Sequence, residues 1–325
     1  MFRHLDADEI DAKLSMSDMI DAVANAVVTA SAGGFEQPPR LVLDGGRLLV
    51  MAAVQSSSRD AVVKTLTVRL DRDGPPIEGT LQWVDGRSGR PTFTADASRV
   101  TALRTGAVAG VATDLLAARG AARLAVLGSG VQAAAQVDAM CAVRPIESIS
   151  VYSPTVANAQ DFAANLRRNR PSLHVVAAAS ADDAVRGADI VCCATSAAEP
   201  VFSYAALRSD AHVNAIGSYQ RAMAELPTEL LLHAALVVVD DLAGCFEESG
   251  EIAAALALGL NRRAIVELGS LVRSAPKPGG LTVFKSVGCA ILDWAVGAAL
   301  AKRLDAPNGR FPNPNDQPAT LGVNL

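Results

Sequence analysis

The sequence has no block of basic residues and no interleaving of basic with aromatic side chains, aromatics being only 4% of the chain. That excludes the electrostatic footprint of a nucleic-acid binder. Its five cysteines, Cys141, Cys192, Cys193, Cys245 and Cys289, are odd in number and never spaced Cys-x-x-Cys, which argues against both a disulfide framework and a zinc site. The four histidines, His4, His174, His212 and His233, share no spacing, so no metal site is expected; His212, near an apolar strand, is the one to watch. No apolar stretch reaches the roughly 18 uncharged residues that span a bilayer. The start, MFRHLDADEI, is acidic and mixed, without the positive end and apolar run of a secretory signal. A soluble, cytoplasmic protein is expected, with neither nucleic acid nor membrane as a partner.

What is present is apolar substance. Half of the 325 residues are hydrophobic and 19% charged, with 29 Lys and Arg against 34 Asp and Glu for a net charge of −5. A large core is therefore expected rather than disorder, and the length suggests two domains.

The most informative stretch is Arg123-Leu-Ala-Val-Leu-Gly-Ser-Gly-Val-Gln-Ala133. A short apolar run breaks at Gly128-Ser129-Gly130 and an Ala-rich helical segment follows, the order of a dinucleotide-binding crossover. Gly128 would make the tight turn, Gly130 would admit a pyrophosphate to the backbone N–H groups, and Ala133 would let the helix lie close on the strand. Alone, this turn fits a steric role equally well. Its context decides: from Arg123 onward, apolar strands near residues 148–152, 173–177, 190–193, 213–217 and 236–240 alternate with helices, which means an open parallel sheet. At the end of the second strand, where an acid would bond the ribose of NAD, the chain reads Tyr152-Ser153-Pro154-Thr155. The missing acid leaves room for a 2′-phosphate held by Ser153, Thr155, Asn158 or an arginine such as Arg167 or Arg168. NADPH is favoured, with NADH possible.

The first third reads as helix followed by antiparallel strands, with a hairpin turn at Asp85-Gly86. Two cations interrupt its apolar strands: Lys64 amid Val62, Val63, Leu66 and Val68, and Arg40 at a Pro-bounded strand entry. Each alone fits a side chain turned to solvent; together they favour an anion site, which would suit a substrate carboxylate. Arg104 lies in a small-residue helix over residues 97–118 and fits either a solvated face or a ligand contact. Asp240 and Asp241 end a strand where crevices form, although such an Asp also caps the following turn. An apolar helix is expected over 289–304, and the tail from Ala306, rich in Pro and Asn, is read as disordered or laid over another subunit.

These stretches jointly resemble the ornithine cyclodeaminase and mu-crystallin family: Pro39-Arg40, Val63-Lys64, Leu103-Arg104-Thr105, Gly128 to Ala133, Asn214-Ala-Ile-Gly-Ser218, Glu225-Leu226, Glu248-Ser-Gly250 and Phe284-Lys-Ser-Val-Gly288. The resemblance implies an α/β fold: a doubly wound Rossmann parallel sheet over residues 119–288, plus a smaller α+β substrate and dimerisation domain over 1–118 completed by 289–325. It also implies a homodimer. It places Arg40, Lys64 and Arg104 on a substrate α-carboxylate, and Thr80, Arg104 and Thr105 on nicotinamide or phosphate. Gly128, Gly130, Val131 and Gln132 fall on the pyrophosphate, with Ser286 near the cofactor.

One departure is informative. Cyclodeaminases place an aspartate two residues after the glycine at Gly217, where it works on the substrate amine; this chain has Tyr219. The expected activity is therefore NAD(P)H-dependent reduction of a small α-imino acid, such as the cyclic ketimines pyrroline-2-carboxylate or piperideine-2-carboxylate. The proton donor is left open among Lys64, Tyr219 and water, and Glu225 is a candidate to orient the Tyr219 loop. The alternatives are an ornithine cyclodeaminase, an open-chain amino-acid dehydrogenase and a non-catalytic, NADPH-binding crystallin-like protein.

Overall fold

The structure is a computed structural model that describes residues 2–69, 77–274 and 279–305. The first half opens with β1 (Arg3–Leu5), α1 (Ala7–Asp11) and α2 (Met16–Ser31). Both helices begin as their sequence asks: Asp6 and Ser15 accept hydrogen bonds from the N–H groups of Glu9 and Asp18, whose carboxylates reach back to the capping residue. Next come β2 (Phe35–Glu36), β3 (Leu41–Leu43), β4 (Leu48–Gln55), β5 (Ala61–Val68), β6 (Ile77–Asp85) and β7 (Arg90–Asp96). They form one sheet in the order β1-β7-β6-β5-β4-β2, with β3 also on β4. All neighbours are antiparallel except β1, which runs parallel to β7 and was not foreseen in the sequence. Strand alternation sends Val62, Lys64, Leu66 and Val68 to the buried face and Val63 and Thr65 to the other.

The long helix α3 (Ala97–Leu116) crosses to the second half. Its small residues have a packing reason: a Cβ added at Gly106 would stand 2.6 Å from the carbonyl oxygen of Ala135 on the next helix. That close approach buries most of α3, including Arg104.

The second half alternates β8 (Arg123–Leu127), α4 (Val131–Val143), β9 (Ser148–Tyr152), α5 (Val156–Asn169), β10 (His174–Ala177), α6 (Ala181–Val185), β11 (Ile190–Cys193), β12 (His212–Ala215), α7 (Thr228–His233) and β13 (Leu236–Val239). It continues through α8 (Leu242–Glu248), α9 (Gly250–Ala257), β14 (Ile265–Glu267), α10 (Leu268–Val272) and β15 (Thr282–Lys285), and α11 (Ala290–Asp305) ends the described chain. The strands make one wholly parallel sheet ordered β10-β9-β8-β11-β12-β15-β13-β14. This is the doubly wound Rossmann sheet that the alternation predicts. β15 slips between β12 and β13, a placement that chain order does not announce. α11 returns to pack on α2, α3, β4 and β5 of the first half.

His212 lies inside this sheet with its neighbours satisfied. Its Nε2 donates to Oδ1 of Asn214 at 3.2 Å, and its Nδ1 accepts from the Thr282 hydroxyl at 2.9 Å. Burial pushes its pKa from 6.5 down to about 3, so the ring is neutral and structural. A depressed folded-state value means that its contribution is complete above pH 6.5 and is lost as pH falls towards 3. Thermal melting should therefore fall through that window, His212 accounting for on the order of 5 kcal/mol. His212→Gln should flatten this limb. An unchanged slope in the variant would show that His212 does not carry it.

Candidate active site

The site gathers at the carboxyl ends of the parallel strands, where the order reverses between β8 and β11. Gly128 marks the place. Its φ is +113°, and an added Cβ would lie 2.4 Å from the Ala194 carbonyl oxygen just beyond β11. No side chain fits there. Gly130 differs: its backbone is extended, and a Cβ would meet nothing within 4 Å. It is the N-cap of α4 without a side-chain cap bond, so the first N–H groups of that helix, from Val131 and Gln132, are left to face an anion. The Oε1 of Gln132 beside them is buried and unpartnered. This cradle fits a dinucleotide pyrophosphate. At the end of β9, Ser153 is buried, and Thr155, the N-cap of α5, makes no side-chain cap bond. Arg167 donates instead to the Val175 carbonyl at 2.8 Å.

Opposite this turn, the three cations converge on the start of α11. Lys64, wholly buried, donates to Oδ1 of Asp293 at 2.6 Å and to the Thr101 hydroxyl at 3.2 Å. Arg104 approaches the same Asp293 oxygen, its Nε 3.7 Å away, and its guanidinium lies against Gly288, where an added Cβ would be 2.5 Å from Nη1. Gly288 has φ +79°, so its backbone conformation demands glycine, and a Cβ there would also push the Arg104 guanidinium aside. Arg40 donates from Nη2 to the carbonyls of Val287 (2.8 Å) and Gly288 (2.7 Å) and stands 2.7 Å from Oε2 of Glu248. Burial lowers the Lys64 pKa from 10.5 to about 8; Asp293 opposes the fall, and Arg104 and Arg40 add to it. Burial raises Glu248 from 4.5 to about 7 against the pull of Arg40, with Asp240, Asp241 and Glu247 pushing the same way as burial.

Buried carboxylates hold the loops that frame this cluster. Asp240 accepts from the Ser286 hydroxyl at 2.6 Å and from Gly288 N–H at 2.8 Å, fixing the turn after β15. Asp241 caps α8, accepting from Gly244 N–H at 3.2 Å. Glu225 accepts from Thr195 N–H and hydroxyl and from the N–H groups of Gly217 (2.8 Å) and Ser218 (3.0 Å). It thus orients the loop that carries Tyr219. Lys285, paired with Glu251 at 3.4 Å, donates to the Ser218 carbonyl at 2.6 Å from below. Tyr219 packs over Leu49, Leu66 and Val68 with its hydroxyl buried and unpartnered; burial raises its pKa while Arg40 pulls it down.

The structure brings Arg40, Lys64, Arg104 and Tyr219 to one place and the Gly128 to Gln132 turn to the adjoining crevice. Thr105 is tied back, its hydroxyl on the Thr101 carbonyl at 2.7 Å. Thr80 does not join: it pairs with Thr65 while Leu81 pairs with Lys64, so alternation turns it to the opposite face of the sheet. Asp293, Thr101 and Glu248 were not singled out for roles by sequence reasoning. Asp293 had a usable signal, a lone charge inside the apolar run of α11, the same signal that marks Lys64.

Six buried side-chain polar atoms lack a hydrogen bond among the described residues. Four of them, Arg104 Nε, Tyr219 hydroxyl, Glu248 Oε2 and Asp293 Oδ2, lie in this cluster, and Gln132 Oε1 lies at the glycine turn. Buried polar groups are normally satisfied, so a concentration of unsatisfied ones marks where ligand polar groups belong.

The sequence pattern of the Ornithine cyclodeaminase/mu-crystallin family matches residues 3–306. The chain is 32% identical over 315 residues to a Delta(1)-pyrroline-2-carboxylate reductase of Bacillus cereus, covering 92% of this chain and 95% of that one. It is 30% identical over 304 residues to the ketimine reductase mu-crystallin of Rattus norvegicus, covering 89% and 93%. The solved structure of Thermococcus litoralis Delta(1)-pyrroline-2-carboxylate reductase, in complex with NADH and L-proline, superimposes with a TM-score of 0.86 at 30% identity, over 93% of this chain and 97% of that one. The chain belongs to the ornithine cyclodeaminase/mu-crystallin family.

Proposed function

We propose that this protein is an NAD(P)H-dependent reductase of α-imino acids, acting on a cyclic ketimine such as pyrroline-2-carboxylate or piperideine-2-carboxylate. The observation that carries the reading is the convergence of three cations, Arg40, Lys64 and Arg104, with an Arg104 Nε that lacks an acceptor, beside a cradle for a dinucleotide. The names of the B. cereus, R. norvegicus and T. litoralis relatives support it.

The bound cofactor supplies a hydride. The chain's own residues do the rest. Arg40, Lys64 and Arg104 take the α-carboxylate, which in a buried setting interacts far more strongly than in water. Leu49, Leu66, Val68 and Tyr219 offer the apolar surface for ring methylenes. With the carboxylate fixed, the C=N carbon is held in one orientation, so that transfer becomes effectively unimolecular. Tyr219 offers no negative charge to a distal amine, which supports reduction over ornithine cyclisation.

NADPH is preferred to NADH in this reading, because the end of β9 presents Ser153 and an uncapped Thr155 and no acid. The protein works as a homodimer through the open face of the first sheet. There Val63 is exposed, and Leu48, Val50, Ala52 and Val54 alternate with the buried side chains of β4. A cytoplasmic setting suits five thiols that are all free.

Cofactor absorbance, followed with NADPH and NADH side by side on both cyclic imines, tests this reading. Consumption on at least one imine, faster at low NADPH than at equal NADH, is expected, with no ammonia from ornithine. No consumption of either cofactor on either imine would refute the reductase.

A further inference from the structure

We infer that Glu248 is a catalytic residue of this reaction: it holds Arg40 before substrate arrives, yields that arginine to the substrate carboxylate, and then donates the proton taken by the imine nitrogen. The inference rests on the reductase reading above and names the acid which that reading leaves open.

Three observations carry it. Glu248 Oε2 lies 2.7 Å from Nη2 of Arg40, yet the contact misses hydrogen-bond geometry and leaves that oxygen buried without a donor aimed at it. It is a carboxylate on the arginine that the reductase reading gives to the substrate, and held less well than a bidentate ligand would be. The other two acids at hand are poorly placed to give up a proton. The Lys64 ammonium, although burial lowers its pKa to about 8, is held by Asp293 at 2.6 Å and Thr101 at 3.2 Å, and the Tyr219 phenol is made a weaker acid by burial. Lastly, the N=C–C–O stretch of an α-imino acid puts the imine nitrogen next to a carboxylate oxygen, so a substrate bound to Arg40 brings its nitrogen alongside the group it displaces.

The charges facing Glu248 make the exchange proton-linked. Arg40 is the cation that favours its ionised form; Asp240 and Asp241, from the end of β13, and Glu247, from its own helix, disfavour it. Arg221 is spent on the carbonyls of Phe246 and Ser249, and Arg262 stacks on the Phe246 ring. When the substrate carboxylate takes Arg40, Glu248 loses its one favourable partner, and a proton enters from solvent through its partly exposed side. In the chemical step, hydride adds to the C=N carbon and the C=N π pair moves to nitrogen, which takes the Glu248 proton. The imine is reduced, the nicotinamide is oxidised, and Glu248 is left as a carboxylate that pairs again with Arg40 as the amino acid departs.

The test compares wild type with Glu248→Gln, which keeps shape and removes the acid, and with Glu248→Asp. On whichever cyclic imine the wild type reduces, kcat of Glu248→Gln should fall about 10²- to 10⁴-fold, the usual share of a general acid. KM should fall or stay level, since the carboxylate that competes for Arg40 is gone, NADPH affinity should change little, and Glu248→Asp should recover part of the rate. The decline of wild-type kcat above neutral pH should disappear in Glu248→Gln. Binding of pyrrole-2-carboxylate, whose nitrogen is not basic, to the wild-type enzyme with reduced cofactor at pH 8, where a group with a pKa of about 7 starts mostly ionised, should take up most of one proton, read from calorimetry in buffers of different ionisation enthalpy; in Glu248→Gln it should take up none. Unchanged kcat in Glu248→Gln, a slowed variant that keeps the wild-type pH profile, or equal proton uptake by both proteins would overturn the assignment. Wild-type protein that reduces no imine would instead remove the reductase reading and this inference with it.

Discussion

A Lys64→Met protein is expected to lose about 3–5 kcal/mol of stability, together with at least a 10²-fold fall in kcat/KM, while still binding NADPH. The two losses have separate causes. Lys64 and Asp293 are both wholly buried, 2.6 Å apart. Removing the cation strands Asp293 in the interior with one oxygen already unpartnered and the Arg104 Nε 3.7 Å away. An uncompensated buried charge is among the costliest defects a core can hold, whereas the intact pair contributes little net stability over an apolar replacement. Adding Asp293→Asn to Lys64→Met should therefore restore most of the stability in denaturant titration, since the stranded charge is gone. Turnover should not return with it, because the substrate carboxylate still lacks a cation. If the double variant regained activity with stability, Lys64 would be a scaffold residue and no part of the clamp. If it stayed as unstable as Lys64→Met, the loss would come from cavity formation rather than from charge.

The second large effect concerns the turn after β8. Gly130→Val should weaken NADPH binding at least 100-fold, about 2.7 kcal/mol, while costing the fold no more than about 1 kcal/mol. Gly130 has ordinary extended backbone angles, and its missing side chain faces open space, so valine strains nothing in the protein. It fills the approach that the pyrophosphate needs. Gly128 makes the contrast: its left-handed backbone and the Ala194 carbonyl beside it mean that any side chain there damages the turn itself. Loss of cofactor binding in a Gly128 variant would say little. The same loss in a well-folded Gly130→Val protein locates the phosphate, and normal affinity would place the cofactor elsewhere.

What could be read from the sequence was what local chemistry writes there. The glycine turn and the alternation of apolar strands with helices each follow from neighbouring residues, and the structure has them. The unusual placement of cations at Arg40, Lys64 and Arg104 was also visible, because a charge in an apolar stretch needs a reason. The reasons themselves were not visible. Lys64 is explained by Asp293, 229 positions away, and Arg40 by Glu248 and the carbonyls of Val287 and Gly288. Only the return of α11 onto β5 and the exit of β15 bring these together. The position of β15 between β12 and β13 was hidden for a similar reason: a short buried strand carries no mark of its neighbours in a parallel sheet. Thr80 shows how fine the limit is. A single step along β6 separates the face of Lys64 from the face of Thr80, and only the register with β5 decides between them.

In the proposed reaction, hydride goes to the α-carbon of an imine whose carboxylate these cations hold. Pyrroline-2-carboxylate incubated with cofactor deuterated at the transferable position tests it most directly, with mass spectrometry and NMR of the product. Proline carrying one deuterium at Cα, with one oxidised cofactor per product, is the predicted result. Unconverted imine, or proline with no deuterium at Cα, would contradict it.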